Sequence, residues 1–174
     1  MTQVLAGKIS ELSPAKRALL ARSKPLSFAQ ERLWFLHQLE PDNPAYNGPA
    51  ALEISGKLDI IALELALNEI ARRHHSLRTI FIEIDGRPIQ AVVPAYQSPL
   101  PIVDLSGLAK GASAVKASSL ADQEGRRQFA LAKDPPVRRI LLTLGRDLHL
   151  LIRVRGDMTI ERTIQFIKGG FPFD

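Results

Sequence analysis

The chain of 174 residues has no cysteine, four histidines and an aromatic content of only 6%. Without thiolates, neither a disulfide framework nor a cysteine-based metal centre can form. The histidines are His37, His74, His75 and His149. A metal site built on so few imidazoles would need carboxylate help, and none is expected. No apolar run approaches the roughly 20 residues that a membrane-spanning helix requires. The opening stretch MTQVLAGKISEL lacks the continuous apolar segment of a secretory signal. A cytoplasmic protein without a membrane partner is therefore expected. The net charge is +5, but the Lys and Arg residues are scattered and no aromatic residues interleave with a basic stripe. Nucleic acid is not an expected partner.

What is present is ordinary for a globular fold: 45% apolar and 24% charged residues, enough for one domain with a sizeable core. Ile9–Ala21 begins like a short helix, capped by Ser13 with Pro14 at the first helical position. Residues 1–24 read as a leader or linker helix. A second helix starts at Ser27, which forms a capping box with Gln30. Along Phe28–Leu39 apolar residues cover most of the circumference, a pattern expected of a buried helix. Arg32 falls on the face of Phe28, Phe35 and Leu39. Ala51–Ser55 alternates like a strand, with Leu52 and Ile54 on one side.

Asp59 is placed to cap a long helix running through about Arg73, with Leu58 and Leu63 as a hydrophobic staple. Ile60, Leu63, Leu67, Ile70 and His74 share its apolar face; Glu64, Asn68 and His75 share the other. Thr79–Ile84 is a β-branched strand, and Asp85-Gly86 is a strong hairpin turn into a return strand with Ile89, Ala91 and Val93. Pro94–Leu108 reads as a loop. Ser113–Ala130 reads as a third helix, ended by Asp134-Pro135-Pro136. Val137–Leu144 and Leu148–Val154 are apolar strands joined in a second hairpin. Strands and helices mix without a strict βαβ rhythm, which favours α+β. After Val154 the pattern changes, and residues 155–174 read as an atypical tail on a domain of residues 25–154.

Two segments carry more specific information. Ser27, Ala29, Gln30, Arg32, Leu33, Trp34 and Leu36 fit SxAQxRLWxL in register. Arg73, His74, Leu77, Arg78, Thr79 and Phe81 fit RHxxLRTxF. In this order and separation the chain resembles the first two signatures of the condensation domains of nonribosomal peptide synthetases. Two multi-residue matches with consistent spacing are a strong signal. The resemblance implies a chloramphenicol acetyltransferase-like α+β fold, of which the chain has room for one lobe, the N-terminal one. It implies a reaction that joins two carrier-bound acyl groups through an amide bond. The partners implied are acyl or peptidyl carrier proteins and other synthetase domains. The substrates ride on the carriers' phosphopantetheine, so no cofactor of the domain's own is expected. Carrier proteins are usually acidic, and the positive excess suits them.

The family's third signature, HHxxxDG, holds the active-site histidine and is expected just after Leu150. It is absent: Arg155, Gly156 and Asp157 follow Val154, and no histidine follows His149. An imidazole suits proton transfer to or from an amine because it titrates near neutrality. Without one at this place, no catalytic residue is assigned, and the chain is expected to be an inactive partial domain. The competing expectation is a noncatalytic module that docks a carrier protein or another component of a synthetase. His74 is expected in the core, His75 at the surface, and His149 inside its strand without a relay acid. His37 is expected to complement the C-terminus of its helix. Trp34 and Phe35 are expected in the core, and Ser27 is a cap rather than a nucleophile. The resemblance implies that Arg78 pairs with the aspartate of the missing signature. Asp157, Glu161 or solvent would have to take that place. The exposed face left by a missing second lobe is expected to favour self-association.

Overall fold

A computed structural model of the protein describes residues 23–41, 43–84 and 86–156. The expected leader helix of residues 1–24, apart from its last two residues, and the tail beyond Gly156 lie outside the described residues. Seven strands and three α-helices are described: β1 (Lys24–Pro25), α1 (Phe28–Leu39), β2 (Asn47–Ser55), α2 (Ile60–Arg73), β3 (Thr79–Ile84), β4 (Arg87–Val92), β5 (Ile102–Asp104), α3 (Lys110–Arg126), β6 (Val137–Gly145) and β7 (Leu148–Gly156). They form two sheets. The larger has the order β2-β7-β6-β5, the smaller β1-β4-β3. The mixture is α+β, as the sequence pattern implied.

The larger sheet is the centre of the structure. β6 and β7 pair antiparallel as the expected hairpin, and β2 pairs antiparallel with the other side of β7. Their near-continuous apolar runs arise because both faces are covered. On one face Leu142, Ile152 and Val154 pack with Leu105, Phe129 and Ala117 of α3. On the opposite face Leu141 and Leu151 pack with Leu100 and with Ile60, Leu63 and Leu67 of α2. Leu58 and Leu63, the expected staple, meet in that same cluster. Asp59 caps α2 by accepting the Ala62 amide at 2.9 Å. The smaller sheet continues from α2 through a short 3₁₀ helix, His75–Arg78, into the β3–β4 hairpin. Gly86 occupies its turn with φ of 74°, a conformation that a side chain disfavours.

Three expectations are corrected. The helix α1 contains no buried residue, and Phe28 and Phe35 are 92% and 61% exposed. Its all-round apolar pattern serves an outer helix with one half-buried stripe, Leu33 and Trp34, rather than a core helix. The Pro94–Leu108 loop contains β5, which pairs parallel to β6 through Ile102–Asp104. Three residues directly after Pro101 are too short for any periodicity to register. The third helix spans Lys110–Arg126 and stops well before Asp134. On the polar face of α2, Asn68 is buried and exchanges two hydrogen bonds with the Ser98 backbone, at 3.1 and 3.0 Å. Glu64 likewise accepts the Leu100 amide at 2.7 Å. These side chains fasten the 94–101 segment to the helix by satisfying backbone groups that would otherwise be stranded.

The two-faced burial of the hairpin sets a measurable hierarchy. Leu142→Ala, at a site of 0% exposure, is expected to lower unfolding free energy by about 2–5 kcal/mol. Leu52→Ala, on the exposed outer part of β2, is expected to change it by less than about 0.5 kcal/mol. Urea unfolding midpoints of the two variants check this ordering.

Candidate functional site

The two signature segments meet through the core. Ser27 caps α1: its Oγ accepts the Gln30 amide at 3.4 Å, and Gln30 Oε1 accepts the Ser27 amide at 2.9 Å. The hydroxyl is thus spent on the helix end. Leu33 and Trp34 then pack against Leu26 and Phe81, the last residue of the second signature. Ala29 and Arg32 lie on the exposed side of α1, and Leu36 is half-buried. Trp34 is therefore partly in the core as expected, while Phe35 is not. Phe81 is 1% exposed, and its amide donates to the Leu131 carbonyl at 2.9 Å. Leu131 also packs against the larger sheet's cluster, so it ties the two sheets together.

The second signature mixes surface and buried roles. Arg73 is exposed and held by Glu69, with Nε to Oε1 at 2.7 Å, while Arg72 grips the same carboxylate at 2.6 Å. His74 is the C-cap of α2 and is exposed, contrary to the expected core placement. The helix ends at Arg73, so His74 leaves the apolar stripe that a continued helix would have given it. His75 is exposed as expected. Leu77 is half-buried, and Thr79 is buried with its hydroxyl donating to the His75 carbonyl at 2.8 Å. Arg78 donates from Nη1 to the Val93 carbonyl at 2.5 Å and from Nη2 to the Arg72 carbonyl at 3.3 Å. Backbone carbonyls thus hold the guanidinium; Asp157 and Glu161 lie outside the described residues.

The end of β7 is where the sequence expectation placed the missing histidine pair. Gly156 sits there against the Phe129 ring, and a Cβ on it would stand 3.2 Å from the ring. A side chain at this position would require the ring to give by a few tenths of an ångström. That ring is itself covered by the Arg138 guanidinium, 3.7 Å from its centroid. Arg138 also donates to the carbonyls of Gln128 at 2.7 Å, Glu124 at 3.1 Å and Arg127. The His37 imidazole shares a cavity of about 40 Å³ with Gly156 and Phe129. Burial lowers the His37 pKa, so the expected favourable charge at the helix end is opposed by desolvation. A space this small is far below the roughly 300 Å³ of ordinary ligand sites. His149 is 6% exposed and lies within β7, cross-strand from Ile54 and Thr143, with no carboxylate relay among the described residues. Among the described residues no group of His, Asp and Glu could hold a metal ion, and no helix is long and apolar enough to cross a membrane.

The α+β architecture is that of one lobe of the chloramphenicol acetyltransferase-like fold that the solved condensation domains share. The family model of the condensation domain matches residues 21–154, and the chain belongs to that family. It is 41% identical over 128 residues to a component of the linear gramicidin synthase of Brevibacillus parabrevis, covering 74% of this chain and 2% of that protein. It is 42% identical over 127 residues to phosphinothricin tripeptide synthetase PhsC of Streptomyces viridochromogenes, covering 73% and 12%. Among solved structures, the starter condensation domain of rhizomide synthetase RzmA matches with a TM-score of 0.69 and 26% identity, over 78% of this chain and 34% of that one. The first condensation domain of the calcium-dependent antibiotic synthetase, solved with a substrate analogue, gives 0.69 and 28%, over 77% and 32%. The chain thus spans about a third of the solved domains and a small fraction of the curated synthetases.

The clamp on the second signature has a clear titration. Hydrogen bonds from Arg72 and Arg73 lower the Glu69 pKa to about 2 from 4.5. A depressed carboxylate pKa stabilises the fold above the ordinary value and loses that contribution as pH falls through the lowered one. The window here is therefore from about 4.5 down to about 2. Carboxyl NMR titration is expected to find Glu69 well below its ordinary midpoint, and molar salt is expected to raise it because the group is exposed.

Proposed function

We propose that this chain is the N-terminal lobe of a domain whose intact form makes an amide bond between a carrier-bound acyl or peptidyl thioester and a carrier-bound aminoacyl thioester. Membership in the condensation family supports the reaction class. The lobe spans residues 25–154, preceded by a linker at 1–24 and followed by an atypical tail at 155–174. Its partners are acyl or peptidyl carrier proteins, whose phosphopantetheine carries the substrates, and other synthetase domains. It needs no cofactor, nucleic acid or membrane, and works in the cytoplasm.

Alone, the chain does not catalyse condensation. The observation that carries this is the end of β7, where Gly156 is packed on Phe129 and no histidine follows His149 in the sequence. The His37 imidazole lies near that end of β7, but the cavity it shares with Gly156 is only about 40 Å³, far below the roughly 300 Å³ of ordinary ligand sites, and His149 is buried within its strand. A condensation assay with acyl- and aminoacyl-loaded carrier proteins is expected to show no dipeptidyl product above the uncatalysed background. Robust turnover would overturn the inactive assignment. The net charge of +5 favours a second reading, a noncatalytic docking module. In the same preparation, saturable and salt-sensitive binding of an acidic carrier without turnover marks that reading.

The exposed apolar stripe of Phe28, Phe35 and Leu39 on α1 supports self-association of the isolated lobe through a second copy. Sedimentation equilibrium is expected to give a mass that rises with concentration, and Phe35→Ser is expected to reduce the rise. A strict monomer at high concentration would refute it.

A further inference from the structure

A cavity of about 480 Å³ lies within the lobe, away from the end of β7. It is enclosed by the C-terminal half of α2, the segment after β4, and the sheet where β6 begins and β7 nears its end. Its walls are mostly apolar and include Leu67, Ile70, Ala71, Leu77 and Val137. This volume falls within the range of small-molecule sites.

Two guanidiniums stand on its floor. Arg139 and Arg153 are direct cross-strand partners, one step along from the Leu141–Leu151 pair that packs under α2. The alternation of β-strands puts both arginines on the face of those leucines. Among the described residues neither is in an ion pair. Burial lowers the pKa of both, and Arg155 adds to the effect on Arg153. Tyr96 and Glu64 act on Arg139 in the opposite direction. The Glu64 carboxylate keeps its charge while accepting the Leu100 amide, so it offsets part of the cost at Arg139. Like charges placed directly opposite across strands destabilise a sheet. Half-burial of Arg153, on which only burial and the like charge of Arg155 act, adds to the cost. The fold tolerates both, beside an apolar hollow that also holds the Arg78 guanidinium and the Tyr96 ring at its edge.

We propose that this cavity binds an aliphatic carboxylate, with the headgroup between Arg139 and Arg153 and the hydrocarbon tail along the α2 wall. A carboxylate matches the planar guanidinium fork. A single charge is also easier to desolvate in so apolar a hollow than a dianionic phosphate. The aliphatic walls favour an alkyl tail over an aromatic ring. The site is independent of the condensation reading, since it uses neither the end of β7 nor a carrier-bound thioester.

Titration calorimetry of the full chain with sodium octanoate tests the proposal, with octanol and inorganic phosphate as comparison probes. Saturable octanoate binding is expected. Arg139→Gln and Arg153→Gln are each expected to weaken it by about tenfold or more, and octanol and phosphate are expected to bind at least that much more weakly. Without ligand, Arg153→Gln is expected to raise the melting temperature, because it relieves the facing charges. Absence of octanoate binding to the folded chain would overturn the proposal, as would undiminished binding by both glutamine variants. A lowered melting temperature for Arg153→Gln would also overturn it, because the guanidinium would then serve the fold rather than a ligand.

Discussion

The structure depends on burying both faces of the β6–β7 hairpin. Leu141 and Leu142 are consecutive and fully buried, yet they point to opposite sides of the sheet. One belongs to the α2 layer and the other to the α3 layer. Each strand therefore needs apolar side chains in continuous runs, and each helix needs only one apolar stripe. Covering two faces with two helices also fixes where the chain between them must run. The 94–101 segment crosses along α2, held by Asn68 and Glu64, and delivers β5 to the edge of the sheet parallel to β6.

That arrangement explains why the family signatures are where they are. Neither lies on the larger sheet. The first caps and packs α1, and the second turns the chain from α2 into the smaller sheet. They converge on Phe81, and Leu131 joins this point to the larger core. The motif residues supply a capped helix end, a buried aromatic, a hydroxyl on a carbonyl and a guanidinium held by carbonyls. At the end of β7, Gly156 packs on the Phe129 ring beside a cavity of only about 40 Å³. The same hairpin presents two arginines, Arg139 and Arg153, on the opposite face. Facing each other with neither in an ion pair among the described residues, they make the α2 side the more hospitable one for an anionic ligand.

Much of this was legible from residue order. The β3–β4 and β6–β7 hairpins, the Ser27 and Asp59 caps and the family itself rest on local patterns that the chain carries in short windows. What was missed has a common cause. Strand β5 is three residues long, so it exists only because β6 offers an edge to pair with. Asn68 looks like a solvated helix residue until the Ser98 backbone comes to lie against it. His74 follows the apolar stripe of α2 by spacing, but the helix stops one residue earlier and turns it outward. The facing of Arg139 and Arg153 depends on hairpin register, with Gly145 accommodating the irregularity beside Thr143.

Sequence by itself determined most of the local structure and the lineage: the two hairpins, the caps of the first two helices, and that no histidine stands after position 149. Those properties arise from interactions between residues a few positions apart, or from composition alone. Tertiary structure decided burial and proximity. It put α1 on the outside, Asn68 on the inside, the Phe129 ring against Gly156, and two arginines side by side under an apolar vault. Each of these depends on which distant segment arrives as a neighbour, and that is settled only when the sheet has acquired both of its helical layers.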